Sequence, residues 1–340
     1  MSAQAALHAC EAHRDGFGTR RIEMDPQAGR VEVLQLTAAL SRPAAEQGIR
    51  ARAARFTDGK APGLATVRRI GRGGNSLCVT TVIPAGVTLA DLLGALEFGT
   101  VSLTDETVLD LAGAATRAVA AVHATPGGLV HGALTPAHVF LSSDGRVLLT
   151  GAIFADALHA LQINREQLWR EFGLALPASA SLPRFDQRTD VTQLGAIVLA
   201  ILLRRTLAAS DYPRGILDLV NSAASRVAGS ATRASALRMW FQQALQLQAK
   251  ATFGSAVDAS RAFNEIIGDG DAGSRRAGAP PFQAAIRQLC GEPDVAPSPP
   301  PRPAPKPVPP PIAAAPRRMV EPQIPSAGAL SFLRNVLRAT

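Results

Sequence analysis

The sequence predicts an α+β fold with a small N-terminal part rich in strands, a larger helical part and a disordered, proline-rich tail. Three observations support this prediction. Residues 77–93 have the pattern of two edge strands and a hinge, helical spacing follows Thr104, and prolines crowd residues 293–325. A chain of 340 residues that is 47% hydrophobic can bury one core of about 250 residues and still carry a tail.

A long helix is predicted to begin at Thr104. Threonine is a favoured N-cap, and Asp105 and Glu106 complement the helix dipole. Gly127 and Gly128 are expected to end the helical region. One buried face is predicted from the helical spacing of Val108, Leu111, Ala115, Val119 and Val122.

Two further patterns lie in the helical part. Asp144 and Gly145 supply the positive φ angles of a tight turn between residues 139–141 and 146–150, which predicts a hairpin. Residues 196–203 are apolar on every side of a helix, so we expect them at the centre of a lobe. This run is too short to cross a membrane.

The tail differs in composition. Residues 269–325 are rich in glycine and then proline, so we expect a disordered linker with extended stretches. Pro-x-x-Pro spacings beside Arg302 and Lys306 could dock in an aromatic groove, although a plain spacer is the simpler interpretation. Residues 326–340 are expected to become a short amphipathic docking helix on a partner surface, with one face formed by Leu330, Leu333, Val336 and Leu337.

Two short segments carry a family resemblance. Residues 131–138, HGALTPAH, are followed by residues 147–153, VLLTGAI. They resemble the catalytic core of bacterial serine/threonine protein kinases, whose loop reads H-R-D-L-x-x-x-N and whose metal-binding strand ends in D-F-G. Besides the loop histidine His131, the resemblance puts Ala133 at the catalytic-base Asp, His138 at the Asn and Gly151 at the metal-binding Asp.

The resemblance implies a two-lobed protein kinase-like fold. Its small, β-rich N-lobe would be residues 1–84, and its mainly helical C-lobe residues 85–268. Gly16 and Gly18 resemble part of the glycine-rich loop that covers the phosphates. Asp190 resembles the buried Asp that hydrogen-bonds the backbone of the catalytic loop in this family.

The ion pair of the small lobe is altered in this sequence. Glu32, or Leu34 if the register slips, stands where kinases have the phosphate-pairing lysine, and Lys60 comes too late in the sequence. Residues 44–56 resemble the C helix, with Arg52 near the position of its glutamate. The usual Lys–Glu pair is therefore expected as Glu32 with Arg52, its charges reversed.

The residues at the chemical positions predict no catalysis, no bound metal and no cofactor. Mg²⁺ prefers hard oxygen ligands, which a glycine and an imidazole do not supply. In a rearranged site Glu32, Asp25, Asp144 and Asp156 are conceivable ligands, although solvated carboxylates are the simpler interpretation. ATP with Mg²⁺ is the alternative cofactor.

The charge of the chain indicates its partners. The net charge is +8 and comes mainly from arginine, which favours acidic partners, including phosphorylated proteins. Arginine clusters such as Arg20-Arg21 and Arg50 with Arg52 are expected on a solvated surface. Only 4% of the residues are aromatic, so the sequence gives no strong signal for nucleic-acid binding.

The cysteines indicate the compartment. Cys10, Cys78 and Cys290 are far apart, which argues against a disulfide framework and fits a reducing cytosol. The sequence shows neither a secretory signal nor a membrane-spanning segment. The expected location is the cytoplasm.

These features lead to one interpretation and two alternatives. We interpret the sequence as a catalytically inactive kinase-like domain, a pseudokinase, that serves as a protein-binding, scaffold or regulatory module in bacterial signalling. The first alternative is an active serine/threonine kinase, or another nucleotide-dependent transferase, that uses noncognate residues. The second treats the chain as part of a larger assembly, tethered by its tail.

Overall fold

The small lobe is built on an antiparallel sheet. The structure is a computed structural model that describes residues 13–57, 62–177, 182–248, 252–268 and 280–291. The strands of this sheet are β1 His13–Arg14, β2 Gly18–Asp25, β3 Gly29–Leu36, β4 Val67–Gly73 and β5 Ser76–Val82. They pair in the order β1-β2-β3-β5-β4. Helix α1, Pro43–Thr57, connects β3 to β4 and confirms the helix predicted at 44–56.

The turn between β2 and β3 fixes the register of these strands. The carboxylate of Asp25 accepts hydrogen bonds from two backbone N–H groups of the turn, and Gly29 has a φ of +75°. Arg20 then pairs with Leu34, and Ile22 pairs with Glu32. Because paired residues point to the same face of a sheet, Arg20 and Glu32 become diagonal neighbours on one face.

The large lobe contains a small sheet and most of the helices. Its strands are β6 Gly86–Thr88, β7 Val139–Ser142 and β8 Val147–Leu149, which pair in that order. The β7–β8 hairpin confirms the one predicted around Asp144 and Gly145, but only Gly145 has a positive φ, of +86°, whereas Asp144 does not. The helices of the lobe are α2 Leu89–Glu97, α3 Asp105–His123, α4 Ala155–Ala160, α5 Arg165–Phe172, α6 Gln187–Leu203, α7 Ile216–Val227, α8 Ala231–Ala244 and α9 Ala256–Gly268.

Two predicted helices match the structure closely. Thr104 caps α3 by accepting a hydrogen bond from the N–H of Thr107, and the predicted apolar face of α3 is buried. Helix α6 is buried from Thr189 to Leu203 because α3, α7, α8 and α9 pack around it. None of the described helices is long and apolar enough to cross a membrane.

A further helix, α10, Gln283–Leu289, packs on the large lobe. Phe282 and Ile286 are buried in the main core of that lobe. The Nε2 of Gln283 donates a hydrogen bond to the carbonyl oxygen of Ser143 at 2.7 Å. The chain thus returns to the β7–β8 hairpin after α9.

This helix corrects part of the predicted linker. Residues 269–325 were expected to be disordered, but residues 280–291 fold against the large lobe. The glycine and proline content of the whole segment predicts a linker, and this average does not reflect Phe282 and Ile286, the two large apolar side chains that anchor residues 280–291. Lys60 and residues 292–340, with the predicted Pro-x-x-Pro motifs and the docking helix at 326–340, lie outside the described residues.

Candidate functional site in the cleft between the lobes

Two buried side chains of α6 hold the loop that begins at His131. The carboxylate of Asp190 accepts hydrogen bonds from the backbone N–H groups of His131 and Gly132, each at 2.6 Å. The Oε1 of Gln193 accepts one from the N–H of Leu134 at 2.8 Å. The anchoring contact expected of Asp190 is therefore present, and α6 fixes the shape of the loop.

The imidazole of His131 is fully buried. Its Nε2 lies 2.8 Å from the carbonyl oxygen of Thr150, and its Nδ1 accepts from the N–H of Ala133 at 3.3 Å. Burial lowers the pKa of His131 to about 3, against the opposing charge of Asp190. His131 is thus neutral and joins the loop to the end of β8. Ala133, which the resemblance puts at the position of the base, has a buried methyl group.

The side chain of His138 packs directly against the backbone of Gly151. Gly151 has a φ of +78°, and a Cβ built on it would lie 2.7 Å from both the Cδ2 and the Nε2 of His138. The imidazole of His138 therefore fills the volume that a side chain at position 151 would need. The two departures from the kinase pattern at these positions are sterically linked.

A guanidinium from the small lobe reaches this imidazole. Arg20 on β2 lies 2.8 Å from the Nε2 of His138 through its Nη2, and 3.1 Å from the Oε1 of Glu32 through its Nη1. Its Nε donates to Asp15 at 2.9 Å. Arg20 and Glu32 are almost fully buried, so the expectation of solvated side chains is wrong for both.

These contacts fix the proton positions. Arginine has only donors, so the Nε2 of His138 must accept from Arg20. The Nδ1 of His138 then carries the proton and donates it to the carbonyl oxygen of Ala133 at 2.6 Å. Burial and the charge of Arg20 hold the pKa of His138 well below its usual value. Burial lowers the pKa of Arg20, but Glu32 and Asp15 outweigh this and raise it.

The segment that resembles the glycine-rich loop is folded into the cleft. Phe17 is buried, and its ring centroid lies 4.4 Å from that of His138 and 5.2 Å from those of Phe154 and Phe172. A Cβ at Gly16 would lie 1.7 Å from the carbonyl oxygen of Glu171 on α5. The backbone at Gly16 therefore packs directly against the backbone of α5, and the ring of Phe17 fills the space beneath the loop.

The inner and outer parts of the cleft differ in volume. The inner cavity, lined by Arg20, Glu32, His138 and Gly151 among others, has a volume of about 10 Å³, which is at the lower limit for holding one water molecule. An outer cavity of about 460 Å³ lies against β2, β6 and the end of α10. Arg30 lies in the wall of this outer cavity and donates a hydrogen bond to the carbonyl oxygen of Gly86 at 3.2 Å.

The expected pair of Glu32 with Arg52 is not formed. Glu32 pairs with Arg20, whereas Arg52 turns toward the large lobe and donates to the carbonyl oxygens of Val130 and Ala152. Its Nη1 also lies 3.1 Å from Asp156. The alternation of β3 and the direction of α1 place the side chains of Glu32 and Arg52 in different parts of the interface, so the two do not meet. Arg52 is also buried. The prediction was therefore wrong about the partners, and the expectation of a solvated Arg52 was wrong too.

The carboxylates considered as metal ligands are not brought together. Glu32, Asp25, Asp144 and Asp156 each lie in an ion pair with an arginine: Arg20, Arg68, Arg146 and Arg52, respectively. In the described part of the chain, no group of three His, Cys, Asp or Glu side chains is arranged to hold a metal ion. The inner cavity of about 10 Å³ has no room for ATP, and the carboxylate in its wall, Glu32, is paired with Arg20. The residues of the inner cleft therefore do not fit ATP with Mg²⁺.

Sequence reasoning missed the role of Arg20 and Phe17. Arg20 was grouped with Arg21 as surface charge, although β2 alternates and only Arg21 faces outward, with 53% of its side chain exposed. The signal that could have found it is the strand period, which puts Arg20 on the same face as Glu32. Phe17 between two glycines carried no such signal.

The fold is similar to that of known protein kinase domains. The kinase domain of Mycobacterium tuberculosis PknI is 21% identical, and the match covers 74% of this chain and 92% of that one with a TM-score of 0.50. A single-site mutant of the same domain is 20% identical, with 75% and 92% covered and a TM-score of 0.50. No family model and no curated protein matches the sequence. These likenesses show the fold alone.

Proposed function

From the premise that this chain has the two-lobed protein kinase fold, we propose that it is a catalytically inactive member of that fold class that works as a protein-binding or regulatory module in bacterial signalling. The observation that carries the proposal is the network of Arg20, Glu32 and His138, which fills the inner cleft together with Phe17. A buried guanidinium takes the place of a ligand there.

Catalysis of phosphoryl transfer depends on positioning and on neutralising phosphate charge. Here the general-base position holds the methyl group of Ala133, and the positions of the metal ligands hold Gly151 and a neutral His138. Loss of a general base alone typically costs about 10² to 10⁴ in rate. The carboxylate of Glu32 forms a buried ion pair with Arg20, so it supports neither metal binding nor proton transfer.

The parts of the fold that remain intact support a scaffold role. Asp190 and Gln193 still hold the loop backbone, and Arg52 still joins α1 to the large lobe. A kinase-like fold that lacks catalytic residues still has surfaces on which partner proteins can bind. The excess of arginine over acidic residues favours acidic protein partners. We place this module in the cytoplasm, as the wide spacing of its cysteines suggests.

Thermal unfolding of the full chain with ATP, with and without Mg²⁺, tests the proposal. A ligand at about 100 times its Kd adds about 2.7 kcal/mol to stability, which raises the Tm of a domain of this size by several degrees. We expect no Mg²⁺-dependent shift. An active kinase domain measured in parallel serves as the positive control.

The outcomes are distinct. A shift with ATP that does not need Mg²⁺ would indicate that nucleotide binds without metal, for which the outer cavity of about 460 Å³ is the candidate site, and would still support an inactive domain. A shift that needs Mg²⁺, accompanied by transfer of labelled phosphate to any protein in the reaction, would overturn the proposal and favour the transferase alternative.

A further inference from the structure

A groove outside the cleft lies where the starts of α5 and α6 meet the end of α8. Its volume is about 340 Å³, within the range of ligand pockets. Leu176, Pro177 and Pro183 form apolar parts of its wall, and Leu182 has 55% of its surface exposed at the rim. The groove therefore offers an apolar contact surface.

Three arginines line this groove: Arg165, Arg184 and Arg188. None of them forms an ion pair with any carboxylate of the described residues. Asp186 lies in the same lining, but its carboxylate caps α6 by accepting from the N–H of Thr189 at 2.9 Å. The groove therefore has an excess of positive charge.

Helix stability does not explain the positions of Arg165 and Arg188. Arg165 is the first residue of α5, and Arg188 is in the first turn of α6. Positive charge near a helix N-terminus opposes the helix dipole and is destabilising. The Nε2 of Gln246, a residue with a φ of +54°, donates to the carbonyl oxygen of Arg188 at 3.2 Å and fixes the backbone there.

We propose that this groove binds a phosphorylated peptide segment of a partner protein. A phosphate carries nearly two negative charges and three strong acceptor oxygens, and the guanidinium fork matches their geometry. The apolar wall and Leu182 accommodate an apolar residue beside the phosphorylated one. The inference rests on the proposed function as a protein-binding module and names the class of partner.

Fluorescence anisotropy of the full chain tests this inference in the absence of nucleotide and Mg²⁺. The probe is a labelled pool of short peptides randomised around a central phosphoserine, with serine and glutamate pools for comparison. The groove variant is the double substitution Arg184→Gln, Arg188→Gln. The control variant, Arg42→Gln with Arg226→Gln, removes the same charge at exposed positions outside the groove. Thermal unfolding verifies that both variants fold.

We expect the phosphoserine pool to bind more tightly than the other two pools. The groove variant should lose about tenfold or more in affinity, as removal of charge-assisted hydrogen bonds predicts, and the control variant should keep its affinity. No binding, equal binding of the three pools or equal losses in both variants would overturn the inference. None of these outcomes bears on the ATP test, so the two proposals fail separately.

Discussion

The imidazole of His138 stands 2.7 Å from the point that a Cβ at position 151 would occupy, so the histidine and the glycine depend on each other. Gly151 also has a φ of +78°, which L side chains rarely adopt. The pair closes the end of the cleft next to β8, and Arg20 completes the closure from the small lobe.

Gly151→Ala should therefore destabilise the protein by more than backbone strain alone. The positive φ costs about 1–2 kcal/mol, and overpacking against the His138 ring adds about 1–3 kcal/mol. Gly173→Ala is the control, because Gly173 has a φ of +68° with no atom within 4 Å of the added Cβ. Guanidinium unfolding measures both variants, and equal losses would contradict the steric link.

Removing the side chain of Arg20 should leave the buried carboxylate of Glu32 without its ion-pair partner. We expect Arg20→Met to cost about 3–5 kcal/mol of unfolding free energy, because Glu32 loses its partner. The double variant Arg20→Met, Glu32→Met should recover part of that loss. Arg21→Met, a neighbouring change with 53% of the side chain exposed, should cost less than about 1 kcal/mol. Additive losses in the double variant would refute the buried pair.

Arg52 should matter for the contact between α1 and the large lobe. Arg52→Met leaves the carbonyl oxygens of Val130 and Ala152 without their donor, which should cost roughly 2 to 4 kcal/mol. Arg55→Met on the same helix, 65% exposed, should change stability little. Combined with Glu32→Gln, Arg52→Met should be additive within about 0.5 kcal/mol; strong coupling in urea unfolding would restore the rejected Glu32–Arg52 pair.

The stability of the protein should fall in acid through His131. Its pKa is about 3 in the folded protein and about 6.5 in the unfolded chain, so the unfolded chain binds more protons between these values. Stability is then fully present above pH of about 6.5 and is lost as the pH falls toward 3, by roughly 3 to 5 kcal/mol. His131→Gln should reduce this dependence without removing it, because buried His138, whose pKa is also held well below its usual value, loses stability in acid in the same direction. His159→Gln, at an exposed position, should leave the profile unchanged.

The α10 segment should contribute to the stability of the large lobe. Phe282 is 2% exposed and lies in the main core, so Phe282→Ala should cost about 3–5 kcal/mol. Phe98→Ala is the matched control, because Phe98 is 85% exposed. Thermal and chemical unfolding compare the two variants. A loss no larger than that of the control would mean that this segment does not pack on the lobe in solution.

Local patterns predicted much of the fold. The cap at Thr104, the turn at Asp144 and Gly145 and the all-apolar run at 196–203 each depend on neighbours in sequence, and each matches the structure. The α10 helix was missed because its anchoring residues are two apolar side chains in a segment whose average composition is that of a linker.

The candidate site was predicted less completely. The motif at residues 131–138 and Gly151 indicated which chemical groups were absent, because the identity of each side chain can be read directly from the sequence. It did not indicate which side chains fill the inner cleft, because Arg20 and His138 are 118 positions apart in the chain and meet only in the folded protein.

The sequence by itself determined the fold class, the loop anchored by Asp190 and the absence of a side-chain carboxylate at positions 133 and 151. Only the tertiary structure decided that Arg20 replaces Arg52 as the partner of Glu32 and that Phe17 lies beneath its own loop. The physical reason is that burial and ion pairing depend on which faces of distant strands and helices meet. Periodicity assigns a side chain to a face, whereas the packing of the lobes selects its partner.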